Sequence, residues 1–259
     1  MAIIAIPEPG QSLRYDTHEG HFYGPAKYPS VSKIKDMLRK DGLENWRYGL
    51  ILDNAIQQCA GLHATVEGQG MDEQVFVGSA KRRIGSGRKD LEIASKAAAV
   101  GSAVHAYAEW FLSGGEGPTP VVPDDVDRDK YEARKATLSL WLNTVELNPV
   151  FLEHPLVSDK NRVGGTPDYY GVVDGKWTIA DLKTGSMPKD AKAWKDQELQ
   201  LGGYAVLFKE QYPDRPLDQL MIIGLALKKP KVVVIEGDKM QSAMMAFELA
   251  AQMYWWWNS

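Results

Sequence analysis

Two aspartates and a lysine lie close together in one short stretch of the chain. Residues 164–185 read GGTPDYYGVVDGKWTIADLKTG and contain Asp168, Asp181 and Lys183. Carboxylates are the protein ligands that Mg²⁺ and similar hard cations prefer, and a bound cation polarises a phosphoryl oxygen and lowers the pKa of a water. A lysine beside the cation can orient that water and offset charge developing on phosphorus. These residue types are those that metal-dependent hydrolysis of a phosphodiester needs.

A single β-hairpin is predicted to position these side chains. Asp174-Gly175 is a typical two-residue hairpin turn between two apolar runs, so the flanking strands should pair antiparallel. Because side chains alternate along a strand, Asp181 and Lys183 should point to one side and Leu182 into the core. Antiparallel pairing then brings Asp168 beside the end of the second strand, and both carboxylates converge on one edge.

Each of these signals alone also has an ordinary structural explanation. Gly-Thr-Pro-Asp is good turn chemistry in any protein, and Asp-x-Lys on a strand is usually a solvated face. The functional interpretation therefore depends on what the rest of the chain supplies.

An alanine-rich segment ahead of the hairpin supplies a histidine. Residues 91–112 are predicted to be helical from their propensity, and a spacing of four places Gly101, His105 and Glu109 on one face. Histidine is a common metal ligand, although a lone histidine is more often an ordinary core or surface residue.

A second predicted helix, residues 192–210, follows the hairpin and repeats this spacing. Gln200 and Tyr204 in Gln-Leu-Gly-Gly-Tyr can hold a lysine or a phosphate by hydrogen bonds. Such a pair is also common in ordinary helices. The joint order of all these groups along the chain is much less expected by chance.

The ordered set G-x-x-x-H-x-x-x-E, G-T-P-D, D-L-K-T-G and Q-L-x-x-Y resembles the RecB-like branch of the PD-(D/E)XK nuclease superfamily. That branch includes Cas4-type exonucleases and the nuclease domains of AddAB helicases. Residues 28–34, Tyr-Pro-Ser-Val-Ser-Lys-Ile, followed by Leu43 and Trp46, are similar to the start of phage-encoded exonucleases and of the mitochondrial genome maintenance exonuclease. The resemblance runs from about Pro29 to Ile235.

The resemblance implies a role for each matched residue. The metal ligands would be His105, Asp168, Asp181 and the backbone carbonyl of Leu182, and Lys183 would be the catalytic lysine.

Three further residues match the family pattern on the two helices. Gln200 and Tyr204 would position the lysine and the DNA backbone and so belong to the catalytic group. Glu109 would either lie at the site or only support the histidine.

The implied fold is α/β, with a restriction-endonuclease-like core of a central mixed β-sheet flanked by helices, and a helical N-terminal lobe. We expect the lobe and a basic loop in residues 1–89 and the nuclease core with its C-terminal helix in 90–259. Helices are predicted at 30–40, 43–59, 91–112, 126–147, 192–210 and 240–257, and strands at 150–157, 168–173, 176–182, 219–227 and 232–235, after an irregular start.

The chain has a single cysteine, Cys59, which is expected to pack as a small buried residue. Many RecB-like relatives hold an iron-sulfur cluster with four cysteines, so such a cluster is excluded here and a cluster-free branch is indicated. Residues 78–87 lack the G-K-[ST] of a P-loop, and no nucleotide cofactor is expected. The expected cofactor is Mg²⁺ or Mn²⁺.

Composition predicts a soluble protein. The 259 residues are 44% hydrophobic, enough for one large α/β domain. The start lacks the basic region of a signal peptide and no run is long enough to cross a membrane. We expect a cytoplasmic enzyme, in the host cytoplasm if it is phage-encoded.

The net charge of −4 is unusual for a DNA-binding protein, so local patches must supply the contacts. Residues 81–89 form a basic cluster with Arg82, Arg83 and Arg88 as candidate DNA ligands. A second cluster, Lys228, Lys229 and Lys231, is equally consistent with a solvated loop.

Three residues of the N-terminal match are also candidates for DNA contact, namely Ser30, Ser32 and Lys33. The serines could equally cap the first helix. In the C-terminal run Tyr254-Trp-Trp-Trp257 the four aromatic side chains spread around a helix, which favours core packing or a partner contact over a base-stacking platform.

These features predict a metal-dependent DNA exonuclease of replication, recombination or repair that acts on single-stranded ends, together with a recombination or single-strand-binding partner. The alternatives are an exonuclease that resects duplex ends and a non-catalytic DNA-binding protein that retains the fold. A sequence-specific endonuclease is disfavoured because nothing resembles a recognition domain.

Overall fold

The computed structural model describes residues 14–17, 20–24, 26–37, 87–185, 195–226 and 228–259. The contacts divide the chain into two units, residues 1–38 with 100–259 and residues 39–99. The division at residues 89 and 90 stays a prediction. The predicted helix at 43–59, with Trp46 and Cys59, and the arginines Arg82 and Arg83 lie outside the described residues.

Ten strands and five helices are found in the described residues. The strands are β1 (Arg14–Thr17), β2 (Gly20–Tyr23), β3 (Tyr28–Pro29), β4 (Leu147–Leu152), β5 (Leu156–Ser158), β6 (Val163–Gly165), β7 (Tyr169–Val173), β8 (Lys176–Lys183), β9 (Gln219–Gly224) and β10 (Lys231–Glu236). The helices are α1 (Val31–Met37), α2 (Gly87–Leu112), α3 (Arg128–Leu142), α4 (Lys195–Gln211) and α5 (Gly237–Trp257). No helix in these parts of the chain is both long and apolar enough to cross a membrane.

The centre of the fold is a five-stranded sheet of order β10-β9-β8-β7-β4. Only β8 and β9 pair in parallel, and α4 forms the connection between them, as parallel strands require. The remaining neighbours pair antiparallel. The predicted α/β fold with a central mixed sheet flanked by helices is therefore confirmed.

The two faces of the sheet bury different side chains. Ile179 and Ile222 belong to the main core, which is shared with α1, α4 and α5. Ala180 and Leu182, on the opposite face, line a small cavity together with Trp141 of α3 and with residues of α2. Strand β8 therefore lies between the core shared with α1, α4 and α5 on one face of the sheet and helices α2 and α3 on the other.

The predicted hairpin is present. Asp174 and Gly175 have φ of 47° and 81°, and a type I′ turn requires positive φ at both central residues. Asp174 Oδ1 also accepts a hydrogen bond from the Glu146 amide at 2.8 Å. The register pairs Tyr169 with Ala180, so Asp168 and Asp181 emerge side by side.

Two predicted boundaries between α3 and β6 were wrong. The helix predicted to reach residue 147 ends at Leu142, because the chain from Leu147 onward is extended and pairs with β7 as strand β4. The strand predicted over 150–157 is divided into β4 and β5. Glu153 has a positive φ of 45° and Pro155 lacks an amide proton, so β5 leaves the central sheet and pairs with β6.

The predicted irregular start is also wrong, because β1, β2 and β3 form a small antiparallel sheet. This sheet packs on β6 at Gly164, and α1 and α4 pack on it at Gly165. A Cβ on Gly164 would lie 2.1 Å from Cβ of Tyr23, and one on Gly165 would lie 2.7 Å from Cε1 of Tyr204 and 2.9 Å from Cγ2 of Val31. Only glycine allows these aromatic rings to approach so closely.

The C-terminal aromatic run divides between the core and the surface. Tyr254 packs against the core, and Trp255 donates from Nε1 to the Asn161 carbonyl at 3.0 Å. Trp256 and Trp257 are 74% and 76% exposed, so core packing is wrong for these two. A partner contact stays a prediction.

Candidate active site

Three potential metal ligands meet beside the central sheet, one from α2, one from the segment that follows β4 and one from the segment that precedes β7. The Nδ1 atom of His105 in α2 lies 3.2 Å from Asp168 Oδ1 and 3.6 Å from Glu153 Oε1. One ligand atom from each residue lies within 4.8 Å of the others. An imidazole nitrogen with carboxylate oxygens is a donor set that suits Mn²⁺, and the carboxylates suit Mg²⁺. The residues present therefore fit a divalent cation.

Asp168 is held in place by the hairpin backbone. The amide of Leu182 donates to Asp168 Oδ2 at 2.6 Å, so Oδ1 is the oxygen that faces His105. Burial raises the pKa of Asp168, while His105 opposes this increase and Asp181 adds to it. A cation bound nearby would therefore favour the charged form of this carboxylate.

Helix α2 approaches the hairpin closely enough to place His105. A Cβ on Gly101 would lie 3.0 Å from Thr184 Oγ1, so this turn of α2 lies against the end of β8. Burial lowers the pKa of His105, but attraction and hydrogen bonds from Asp168 and Glu153 outweigh burial and raise it well above the usual value. The carboxylates around His105 therefore favour a positive charge at this position.

Asp181 and Lys183 lie on the same side of β8, as their spacing predicts. Lys183 Nζ is 2.5 Å from Asp181 Oδ2, and Asp181 is only 4% exposed. Burial lowers the pKa of Lys183, but Asp181 more than compensates and the net pKa is raised. Asp181 is outside the tight cluster that contains His105.

Helix α4 brings Gln200 and Tyr204 to this pair. Gln200 Oε1 accepts from Lys183 Nζ at 3.1 Å, and its Nε2 donates to the Tyr204 hydroxyl at 2.8 Å and to Asp181 Oδ1 at 3.5 Å. Both residues are 5% exposed. Burial raises the pKa of Tyr204 well above its ordinary value, so Tyr204 remains a neutral hydrogen-bonding group.

Two residues that contact the site were not predicted from the sequence. Glu153 lies at the break between β4 and β5, and the signal was an acidic residue inside the mostly apolar run Phe-Leu-Glu-His-Pro-Leu-Val. Lys35 of α1 donates to Gln200 Oε1 at 3.2 Å. Burial and the charge of Lys183 lower the pKa of Lys35.

Glu109 is placed less centrally than the other predicted residues. It is exposed and lines the small, largely apolar cavity behind His105, together with Glu153. It is not part of the His105, Glu153 and Asp168 cluster. Its two predicted roles, at the site or in support of the histidine, stay predictions.

The predicted DNA ligands are distributed unevenly. Ser30 and Ser32 line the groove above the site, and Ser30 Oγ also accepts from the Lys33 amide at 3.1 Å, capping α1. Lys33 is not among the groove-lining residues, and its ammonium lies 5.4 Å from the centroid of the Phe22 ring. Arg88 lies in the first turn of α2, and its side chain is outside the described part.

A carboxylate pair with a lysine on a mixed sheet, faced by helices that supply histidine, glutamine and tyrosine, defines a metal-dependent nuclease class with a restriction-endonuclease-like core. Comparison with known protein families matches residues 79–251 to the PD-(D/E)XK nuclease superfamily. The chain belongs to this superfamily, whose nucleases use divalent metal ions. A search of curated proteins found no match.

Proposed function

We propose that the chain is a Mg²⁺- or Mn²⁺-dependent DNA exonuclease that acts on single-stranded ends. The observation that supports it most is the convergence of His105, Glu153 and Asp168 beside the Asp181–Lys183 pair, in a superfamily of nucleases. The order of the motifs supports the RecB-like branch and a phage type similar to the mitochondrial exonuclease.

The proposed cation site uses His105, Asp168, Asp181 and the Leu182 carbonyl, with Glu153 as an additional ligand. A divalent cation bound there would polarise the phosphoryl oxygens and acidify a water. Its charge would also offset the mutual repulsion of three carboxylates at the site.

The protein's own groups have separate tasks in this proposal. Lys183 is held between Asp181 and Gln200, so its ammonium is fixed in position to orient a water and to stabilise charge on the scissile phosphate. Gln200 and Tyr204 maintain that position. Because these contacts already exist before substrate binds, little reorganisation is needed during the reaction.

End-labelled DNA tests this function. Linear single strands, duplexes and closed circles are incubated with Mg²⁺, Mn²⁺ or EDTA, comparing wild type with Asp181→Asn. We expect cation-dependent loss of the linear single strand and no cleavage of circles. Cleavage in EDTA or by Asp181→Asn would reject the assigned site, and faster loss of duplex ends would favour the resecting exonuclease.

Binding without cleavage in any cation would favour the non-catalytic alternative. Labels at the 5′ and 3′ ends in the same assay give the polarity. The length of the labelled products separates removal of single nucleotides from release of longer fragments.

A further inference from the structure

The groove above the site has a second wall to which no role has yet been assigned. The groove has a volume of about 350 Å³. The groove is lined by Asp168, Asp181 and Lys183 of the site already described. It is also lined by Arg14 of β1 and His21 of β2, which form the second wall. A volume near the lower end of the range for ligand pockets suits part of a single strand.

Arg14 and His21 act together on this wall. Arg14 Nη2 lies 3.2 Å from Nδ1 and 3.3 Å from Nε2 of His21. Both side chains are exposed, and they project from antiparallel strands in which Arg14 pairs with Tyr23. The guanidinium and the imidazole therefore lie next to each other where they line the groove.

The wall is attached to the segment that contains the carboxylates. Tyr23, two residues after His21, is hydrogen-bonded through its hydroxyl to Thr166 Oγ1 at 3.0 Å. Its ring also occupies the space beside Gly164. The separation between Arg14 and Asp168 is therefore set by packed side chains.

The carboxylates that line the groove make a positive charge on the second wall important for binding a polyanion. Of the described residues that line it, Arg14 and Lys183 have a permanent positive charge. A nucleic-acid strand is polyanionic, and Asp168 and Asp181 repel it. Arg14 lines the same groove with a charge that attracts the phosphates of the strand.

We propose that Arg14 and His21 form a phosphate-binding subsite that holds the backbone of the substrate strand next to the scissile bond, an inference that rests on the proposed nuclease function. A guanidinium matches phosphate oxygens with paired N–H donors, and phosphate contacts position a strand without reading its sequence. The subsite would thus orient the strand, and the residues of the proposed cation site would act on it together with Lys183.

Binding of a fluorescent single-stranded oligonucleotide in EDTA tests the subsite apart from cleavage. Arg14→Gln should weaken binding about tenfold, and the slope of log affinity against log salt should decrease by about 0.7, the value for one phosphate contact on a single strand. His21→Ala should weaken binding in the same direction. Mn²⁺ affinity, measured by calorimetry, should not change.

Arg128→Gln is the matched control, since Arg128 is exposed, pairs with Asp124 at 3.7 Å and does not line the groove. A set of oligonucleotides carries one neutral methylphosphonate at each of the last four linkages in turn. At one of these positions the methylphosphonate should weaken binding by wild type but not binding by Arg14→Gln. Equal losses for Arg14→Gln and Arg128→Gln, or no such position, would overturn the subsite. A wild type that binds DNA but never cleaves it would instead reject the proposed function, and these binding results would still be interpretable.

Discussion

Lys35 and Lys183 donate hydrogen bonds to the same oxygen, Oε1 of Gln200, at 3.2 and 3.1 Å. Two cations on one carbonyl oxygen leave the amide nitrogen facing Tyr204 and Asp181. The orientation of Gln200 is therefore determined from both ends, and Lys183 is positioned by it.

Replacing Gln200 with alanine should lower the cleavage rate about 10²-fold, because Lys183 loses the acceptor that positions it and charge stabilisation depends on fixed geometry. Mn²⁺ affinity should change little, since Gln200 is not a proposed ligand. Initial rates and calorimetric Mn²⁺ titrations measure the two effects. Gln241→Ala, at an exposed position of α5, is the control. A large fall in Mn²⁺ affinity for Gln200→Ala would contradict the positioning role.

Lys183→Gln should lower cleavage by about 10²- to 10³-fold, the range for removal of one group that stabilises charge developing in the transition state. Lys176→Gln provides the control on the same strand, because Lys176 is an exposed partner of Glu236 at the other end of β8. Single-turnover rates on saturating DNA compare the two. Similar rates for both variants would exclude Lys183 from the reaction.

Glu153→Gln should weaken Mn²⁺ binding about 10- to 100-fold, as loss of a ligand or of its direct support does. The amide keeps the size of the side chain but removes the charge facing His105. Glu109→Gln should have a smaller effect, because Glu109 is outside the cluster. Calorimetry without DNA gives both affinities, and unchanged Mn²⁺ affinity in Glu153→Gln would remove it from the ligand set.

Gly165→Ala should destabilise the protein by about 1–3 kcal/mol, as overpacking in a close-packed interior does. The new Cβ would lie 2.7 Å from the Tyr204 ring. Gly185→Ala is the control, since nothing lies within 4 Å of its added Cβ. Urea denaturation measures both free energies of unfolding. If Gly165→Ala is as stable as wild type, Tyr204 moves aside without cost. A lower cleavage rate of this variant would then report the displacement of Tyr204.

Stability should depend on pH through Glu198, which joins α4 to α5. Its carboxylate lies 2.6 Å from Lys195 Nζ and 2.9 Å from Lys239 Nζ. Burial raises the pKa of Glu198, but the two lysines outweigh it and the pKa is lowered from 4.5. A folded pKa below the unfolded one stabilises the protein above about pH 4.5, and this contribution is lost as the pH falls through the folded value.

Glu198→Gln should therefore be less stable than wild type at pH 7, by about 1 kcal/mol because both lysines are more than half exposed and solvent screens the pairs, and the difference should shrink as the pH falls below about 4.5. Urea midpoints at several pH values give this profile. Glu132→Gln, at an exposed pair 3.7 Å from Lys135, should show almost no difference. A Glu198→Gln deficit that stays constant down to pH 3 would contradict the electrostatic explanation.

Local signals predicted the hairpin, because the Asp174-Gly175 turn and the alternation along β8 depend only on neighbouring residues. The placement of His105 on one helical face and of Gln200 above Tyr204 was predictable for the same reason. Glu153 was missed because its position depends on a break in strand pairing and on a positive φ, which an apolar run does not reveal. Arg14 and His21 were missed because strands of four residues gain their stability from tertiary packing.

The two glycines of β6 also bear on how much of the chain makes a minimal domain. The matched segment begins at residue 79, whereas the side chains that cover Gly164 and Gly165 from the N-terminal side are Tyr23 and Val31. A protein shortened to the matched segment would lose both and expose one side of the Tyr204 ring. The superfamily match thus delimits the catalytic motifs, while an independently folding unit must also include the strands and helix that precede it.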